Sequence, residues 1–181
     1  MSAASLTNPV EILKLLNSKL EEDKSLGYEA FLRRTHWFSG TTANDLKRFA
    51  CNQLNVKPRD VLASIKNIEP AFLWASQDGL ETAKLKMVEA AHAYSKIIEA
   101  SLPPVIVWNF FDSQAIRLIV HDGHHRTYYA HRNGIRIPAV ILEPLGNYSK
   151  MEDKFRYAFQ IRTRVIDLPV SRTKHFDIVT R

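Results

Sequence analysis

The sequence predicts a mixed α/β domain of the α+β class: a small sheet with flanking helices, preceded by a helical extension. Three observations predict it. Apolar residues recur every three or four positions in the N-terminal third and again over 80–99. The pattern then switches to short apolar, β-branched runs over 104–110, 115–120 and 136–142. Pro-Pro, Asp-Gly and Asn-Gly pairs punctuate these segments. At 181 residues there is length for one compact domain. It divides into a helical N-terminal extension over 1–57, a core over 58–145, and a C-terminal helix with a basic tail over 146–181.

The first helix starts at Thr7-Asn8-Pro9, with Pro at its first turn, and carries Val10, Leu13, Leu16 and Leu20. Tyr28 to Arg34 forms a short second helix. Thr42 and Asp45 have the spacing of a capping box, with Ala43, Leu46, Ala50 and Leu54 as an apolar stripe behind it. No helix here presents basic and amide residues on one face, so a DNA-reading helix-turn-helix is not indicated.

Asn55 to Pro58 breaks the pattern, and Val61 to Ile68 is the first strand. After Asp78-Gly79 the strongest helix runs from Leu80 to Glu99 and ends before Pro103-Pro104. Strands follow over Pro104 to Phe110 and Ala115 to Val120. His121-Asp122-Gly123 makes a break, His124 to Arg132 a helix, and Asn133-Gly134 its stop. Arg136 to Leu142 is the next strand, with Pro138 pointing to an edge or a bulge. Met151 to Arg164 reads as a last helix and Asp167 to Arg181 as an extended tail.

Charge and composition narrow the function classes. The chain carries 25 Lys and Arg against 19 Asp and Glu, a net charge of +6. The excess lies mostly in the C-terminal half, which suits nucleic acid, nucleotide or another anionic partner and equally a solvated basic surface. The longest nearly uncharged apolar run, Leu102 to Phe111, falls short of the ~20 residues of a membrane span, so no transmembrane segment is expected. No secretory signal is visible. The single cysteine, Cys51, forms no internal disulfide, which fits a cytoplasmic protein.

Chemistry concentrates in Val120-His121-Asp122-Gly123-His124-His125-Arg126-Thr127. A strand ends, Gly123 permits a tight turn, and a helix opens whose N–H groups form an anion site. Gly123, His125, Arg126 and Thr127 are the candidate phosphate-binding residues, Arg126 through its forked donors. His124, His125 and Asp122 are the candidate catalytic residues, the histidines as general acid, base or ligand. Asp122 and His121 are the candidate ligands of a divalent cation, Mg2+ or another. Arg132, Arg162, Arg164, Arg172 and Lys174 are candidates for contact with DNA phosphates. Tyr128 and Tyr129 offer a ring to a base, or fill an inward position on a short amphipathic helix. Trp37, Trp74 and Trp108 read as core or boundary anchors.

These motifs resemble the ParB/sulfiredoxin superfamily. Its ParB-type members run a strand into a Gly-Glu-Arg-Arg box that opens a helix, followed by a Gly and an Ile-Pro-Ala-Val strand. The corresponding residues here are Gly123-His124-His125-Arg126, Gly134 and Ile137-Pro138-Ala139-Val140, with Pro104-Val105-Ile106-Val107 and Val61 to Glu69 matching upstream strands. The likeness covers about residues 60–145. His124 stands where sulfiredoxins carry their catalytic Cys, which removes sulfinic acid reduction by that route.

The resemblance implies handling of nucleotide or DNA phosphates. Stand-alone members include nucleases and plasmid-borne fertility-inhibition proteins of the Osa type, which are associated with ATPase and DNase activity and with blocking conjugative transfer through type IV secretion. The first expectation is therefore a hydrolase of nucleotide (ATP or CTP) and DNA phosphodiester bonds, with a nucleoside triphosphate and a divalent cation as cofactors and a plasmid-encoded inhibitory role. The alternative is a non-catalytic nucleotide- or DNA-binding module that inhibits a secretion or partition component, such as its ATPase. An HD-type phosphohydrolase built on His121-Asp122 is disfavoured by the β-branched run directly before the pair.

Overall fold

The computed structural model describes residues 42–97, 103–111, 116–146 and 163–171. The helices expected over 1–41, the start of the helix expected over 151–164 and the tail beyond 171 lie outside the described residues, as do Trp37, Arg162, Arg172 and Lys174. The architecture is α+β: three helices, a mixed five-stranded sheet and a separate two-stranded pair among the described residues. None of these helices is long and apolar enough to cross a membrane.

Helix α1 spans Ala43–Gln53. Its first turn is closed reciprocally: Asp45 N–H donates to Thr42 Oγ1 at 3.2 Å, and Thr42 N–H donates to Asp45 Oδ2 at 3.0 Å. These bonds satisfy donors that a helix start leaves open. The Thr42 hydroxyl and then the Thr42 N–H, both donating to Asp45 Oδ2, hold the Asp45 carboxyl below the usual carboxylate range.

The sheet strands are β1 (Val61–Ile68), β2 (Leu73–Trp74), β4 (Val105–Phe111), β5 (Ile116–Asp122) and β6 (Ile137–Pro144), in the order β1-β6-β4-β5-β2. β6 runs antiparallel to β1 and parallel to β4; β5 is antiparallel to β4 and parallel to β2. One row of side-chain positions crosses the whole sheet: Ala63, Leu142, Trp108, Ile119 and Trp74. Alternation along each strand then divides the core between two faces. Ile106, Trp108, Ile119, Val140 and Leu142 pack with Ala50 and Cys51 of α1 and with Leu54, which caps it. On the other face Val105, Val107, Val120, Ala139 and Ile141 pack with Ala130 of α3, the helix over His124–Arg132. Residues 43–54 thus belong to the core of the sheet.

Four expectations change. The long helix, α2, starts at Thr82 and covers Thr82–Ile97, because Leu80–Glu81 is spent as strand β3, pairing in parallel with Val170–Ser171 (β7). Two-residue β2 was not anticipated, since Leu73-Trp74 is too short to show a period. β6 is an interior strand; Pro138 is accommodated because the ladder to β4 begins only at Ala139. Arg164, expected to end a helix, is extended (φ −69°, ψ 149°) and bridges to Trp74.

Candidate functional site

The box forms at the C-terminal end of β5. The strand continues through His121 and Asp122, and a register shift against Ile106 and Val107 leaves His121 as an extra residue on β5. Gly123 turns the chain with φ 102°, a conformation that favours glycine. Its Cα lies so close to β4 that an added Cβ would stand 2.5 Å from Val105 Cγ1. The missing side chain therefore serves packing against β4.

His121 and Asp122 point to opposite sides. The His121 imidazole is buried between Phe49 and Trp108, and its Nε2 donates to Gln53 Oε1 of α1 at 2.6 Å. Burial lowers its pKa from 6.5 to about 4, so the ring is neutral, and its Nδ1 has no hydrogen-bond partner among the described residues. Asp122 is half exposed and accepts from Arg126 Nη2 at 2.7 Å, on the side of α3. The pair does not converge on one point, and the Asp122 carboxylate already faces a guanidinium. Among the described residues no three His, Cys, Asp or Glu side chains converge to hold an ion. The donor set does not fit the expected divalent cation.

His124 and His125 open α3 and both reach back over the segment 75–81. Ser76 N–H donates to His124 Nε2 at 3.0 Å, and Glu81 N–H donates to His125 Nε2 at 2.9 Å. Accepting at Nε2 requires that the proton sit on Nδ1. His124 is buried and its pKa lies well below 6.5, chiefly through desolvation and then through the neighbouring His125, His121 and Arg126. Ser76 Oγ lies 3.2 Å from His124 Nε2, a spacing seen in activated nucleophiles, but it donates to the Val120 carbonyl and is buried. The pair is a fastener between β5, α3 and the 75–81 segment.

Arg126 is enclosed. Nη1 donates to the carbonyls of Pro103 and Pro104 at 2.9 and 3.2 Å, while Nη2 holds Asp122. Desolvation lowers its pKa and Asp122 opposes that fall. A phosphate reaching this guanidinium would compete with a carboxylate of the same chain. Thr127 is fully buried, and its Oγ1 has no hydrogen-bond partner among the described residues. Tyr129 meets His92 of α2 at 2.9 Å, which ties the two helices together. Arg132 is exposed at the far end of α3.

Sequence reasoning named Arg164 as a candidate DNA contact but missed the cationic locus it forms with Arg117. Trp74, at the sheet edge, has the Arg164 guanidinium 4.3 Å from its ring centroid and that of Arg117 at 5.8 Å. Arg164 Nη1 also donates to the Ala71 carbonyl at 3.0 Å. Arg117 and Arg164 are far apart in sequence, so only β2 pairing beside β5 brings them to one ring. Ser76, Glu81 and Gln53, which engage the box, carry no motif either.

No family model matches the chain, and no curated protein and no solved structure matches it significantly.

Proposed function

We propose that the chain is a non-catalytic DNA-binding module with a ParB/sulfiredoxin-like core. The observation that carries the first half is the commitment of the box. Both histidine Nε2 atoms accept main-chain N–H groups, and Arg126 is divided between two carbonyls and Asp122. General acid–base work needs a group within reach of a substrate proton and able to exchange its own. A buried imidazole fastened at Nε2 serves poorly. The net charge of +6 and the arginines at Trp74 support an anionic partner. Such a module would inhibit DNA transfer by occupying DNA beside a secretion or partition component rather than by cutting it.

A second reading, a nucleotide phosphate (ATP or CTP) at the start of α3, draws on the half-exposed Gly123 and His125 there. It requires Asp122 to release Arg126.

The test is phosphate release from ATP, CTP and GTP with Mg2+, with and without duplex DNA, alongside DNA binding by gel retardation. The expected result is retardation without turnover. Turnover that disappears in Arg126→Ala would restore the hydrolase reading.

A further inference from the structure

Resting on the reading above, we infer that the Phe72–Trp74–Arg117–Arg164 edge is a binding site for single-stranded nucleic acid, taking a base on Phe72 and backbone phosphate on the two guanidiniums.

Two cations are drawn to one ring. Arg164 lies over Trp74 at stacking distance and Arg117 approaches the same ring. Arg164, steadied on the ring, still presents a planar cation to which a phosphate can be drawn. Among the described residues no carboxylate pairs with Arg164, whose contacts are the Trp74 ring, the Ala71 carbonyl and the Trp74 bridge. The guanidinium is also held in place before any ligand arrives, which lowers the ordering cost of binding.

The second feature is Phe72. It is 63% exposed, the most exposed large apolar residue among the described ones. It ends the 3-10 turn Pro70–Phe72, directly after the carbonyl that anchors Arg164. Phe72 thus follows directly in the chain on the carbonyl that holds a planar cation. Trp74 itself packs on the core and serves as the support that aligns the arginines. An acidic peptide would satisfy the arginines but leave the ring in water. A duplex keeps its bases stacked and offers the ring none. A single strand supplies both an unstacked base and a phosphate.

The test uses the full chain and fluorescence anisotropy with a labelled 12-nucleotide oligothymidine, the same length as duplex, and a poly-glutamate peptide. The single strand should bind tightest. Phe72→Ala should weaken it by roughly tenfold with the salt dependence unchanged, since base stacking is sequence-tolerant and uncharged. Arg164→Ala should weaken it and reduce the slope of log K against log salt by about 0.7, one phosphate on a single strand. Arg164→Lys should keep the slope yet bind less tightly, because it loses the planar stack. Thermal melts establish that each variant is folded, and a variant that does not fold is replaced by Arg117→Gln, for which the same slope change is expected. If wild type binds the single strand and none of these variants changes it, the assigned surface is wrong while DNA binding stands. Tighter binding of duplex or of poly-glutamate overturns the single-strand assignment. No binding of either nucleic acid overturns both readings.

Discussion

The two ends of strand β5 use arginine for opposite purposes. At its C-terminal end, His121, His124 and Arg126 are drawn inward, and the polar atoms described there, with those of Asp122 and His125, bond mostly to main chain or to each other. At its N-terminal end, Arg117 shares the Trp74 ring with Arg164 beside an exposed Phe72. The lesson is that a dense polar motif marks a place where the fold is fastened as readily as a place where it acts. What separates the two is where the donors and acceptors go.

The sharpest break in that comparison is Gly123→Ala. The new Cβ meets Val105 at 2.5 Å on β4, in a backbone conformation with φ 102° that L residues rarely adopt. Overpacking and backbone strain together should cost on the order of 3 kcal/mol or more. Chemical denaturation would record it as a lower midpoint at unchanged slope. A protein of wild-type stability would show that the turn is not packed as described.

His124→Ala comes next. It leaves the Ser76 N–H buried without its acceptor and opens a cavity, a loss of about 2–4 kcal/mol in stability. A catalytic histidine would instead lose turnover while the melting temperature held.

Acid should act in the same place. His121 titrates at about 4 in the folded chain and near 6.5 when unfolded, and His124 is depressed in the same direction. Between these values the unfolded chain binds more protons, so stability is full above pH 6.5 and falls as pH drops toward 4. The slope is roughly 1.4 kcal/mol per pH unit for each histidine. Denaturant titrations between pH 7.5 and 4.5 would reveal it, and a pH-independent midpoint would contradict the burial of these rings.

The smallest expected effect is the most discriminating within the box. Thr127 Oγ1 is buried and unpartnered among the described residues, so Thr127→Val should leave stability unchanged or raise it by up to about 1 kcal/mol. Were Thr127 a phosphate ligand, the same change would weaken nucleotide binding in a calorimetric titration.

Much of the fold was legible because periodicity and punctuation are local signals. The Thr42–Asp45 capping box, β1 over Val61–Ile68 and α3 over His124–Arg132 all follow from neighbours in sequence. What escaped depends on long-range pairing. Leu80-Glu81 looks like the start of a helix until Val170-Ser171 arrives beside it. Leu73-Trp74 has no period to detect. The site was legible as a place and not as a geometry. The sequence locates the polar cluster at 121–127, but the partners that occupy it, Ser76, Glu81, Gln53 and the Pro103 and Pro104 carbonyls, come from three other segments. The Trp74 edge was invisible because its two arginines lie on β5 and beyond β6.

The contrast between the two ends of β5 is tested most directly by oligothymidine affinity measured side by side, at one salt concentration, for Arg164→Ala and His125→Ala. The account predicts that Arg164→Ala weakens binding severalfold, while His125→Ala binds as wild type and only melts at lower temperature. Loss of binding in folded His125→Ala with Arg164→Ala unaffected would place recognition at the box and contradict the account.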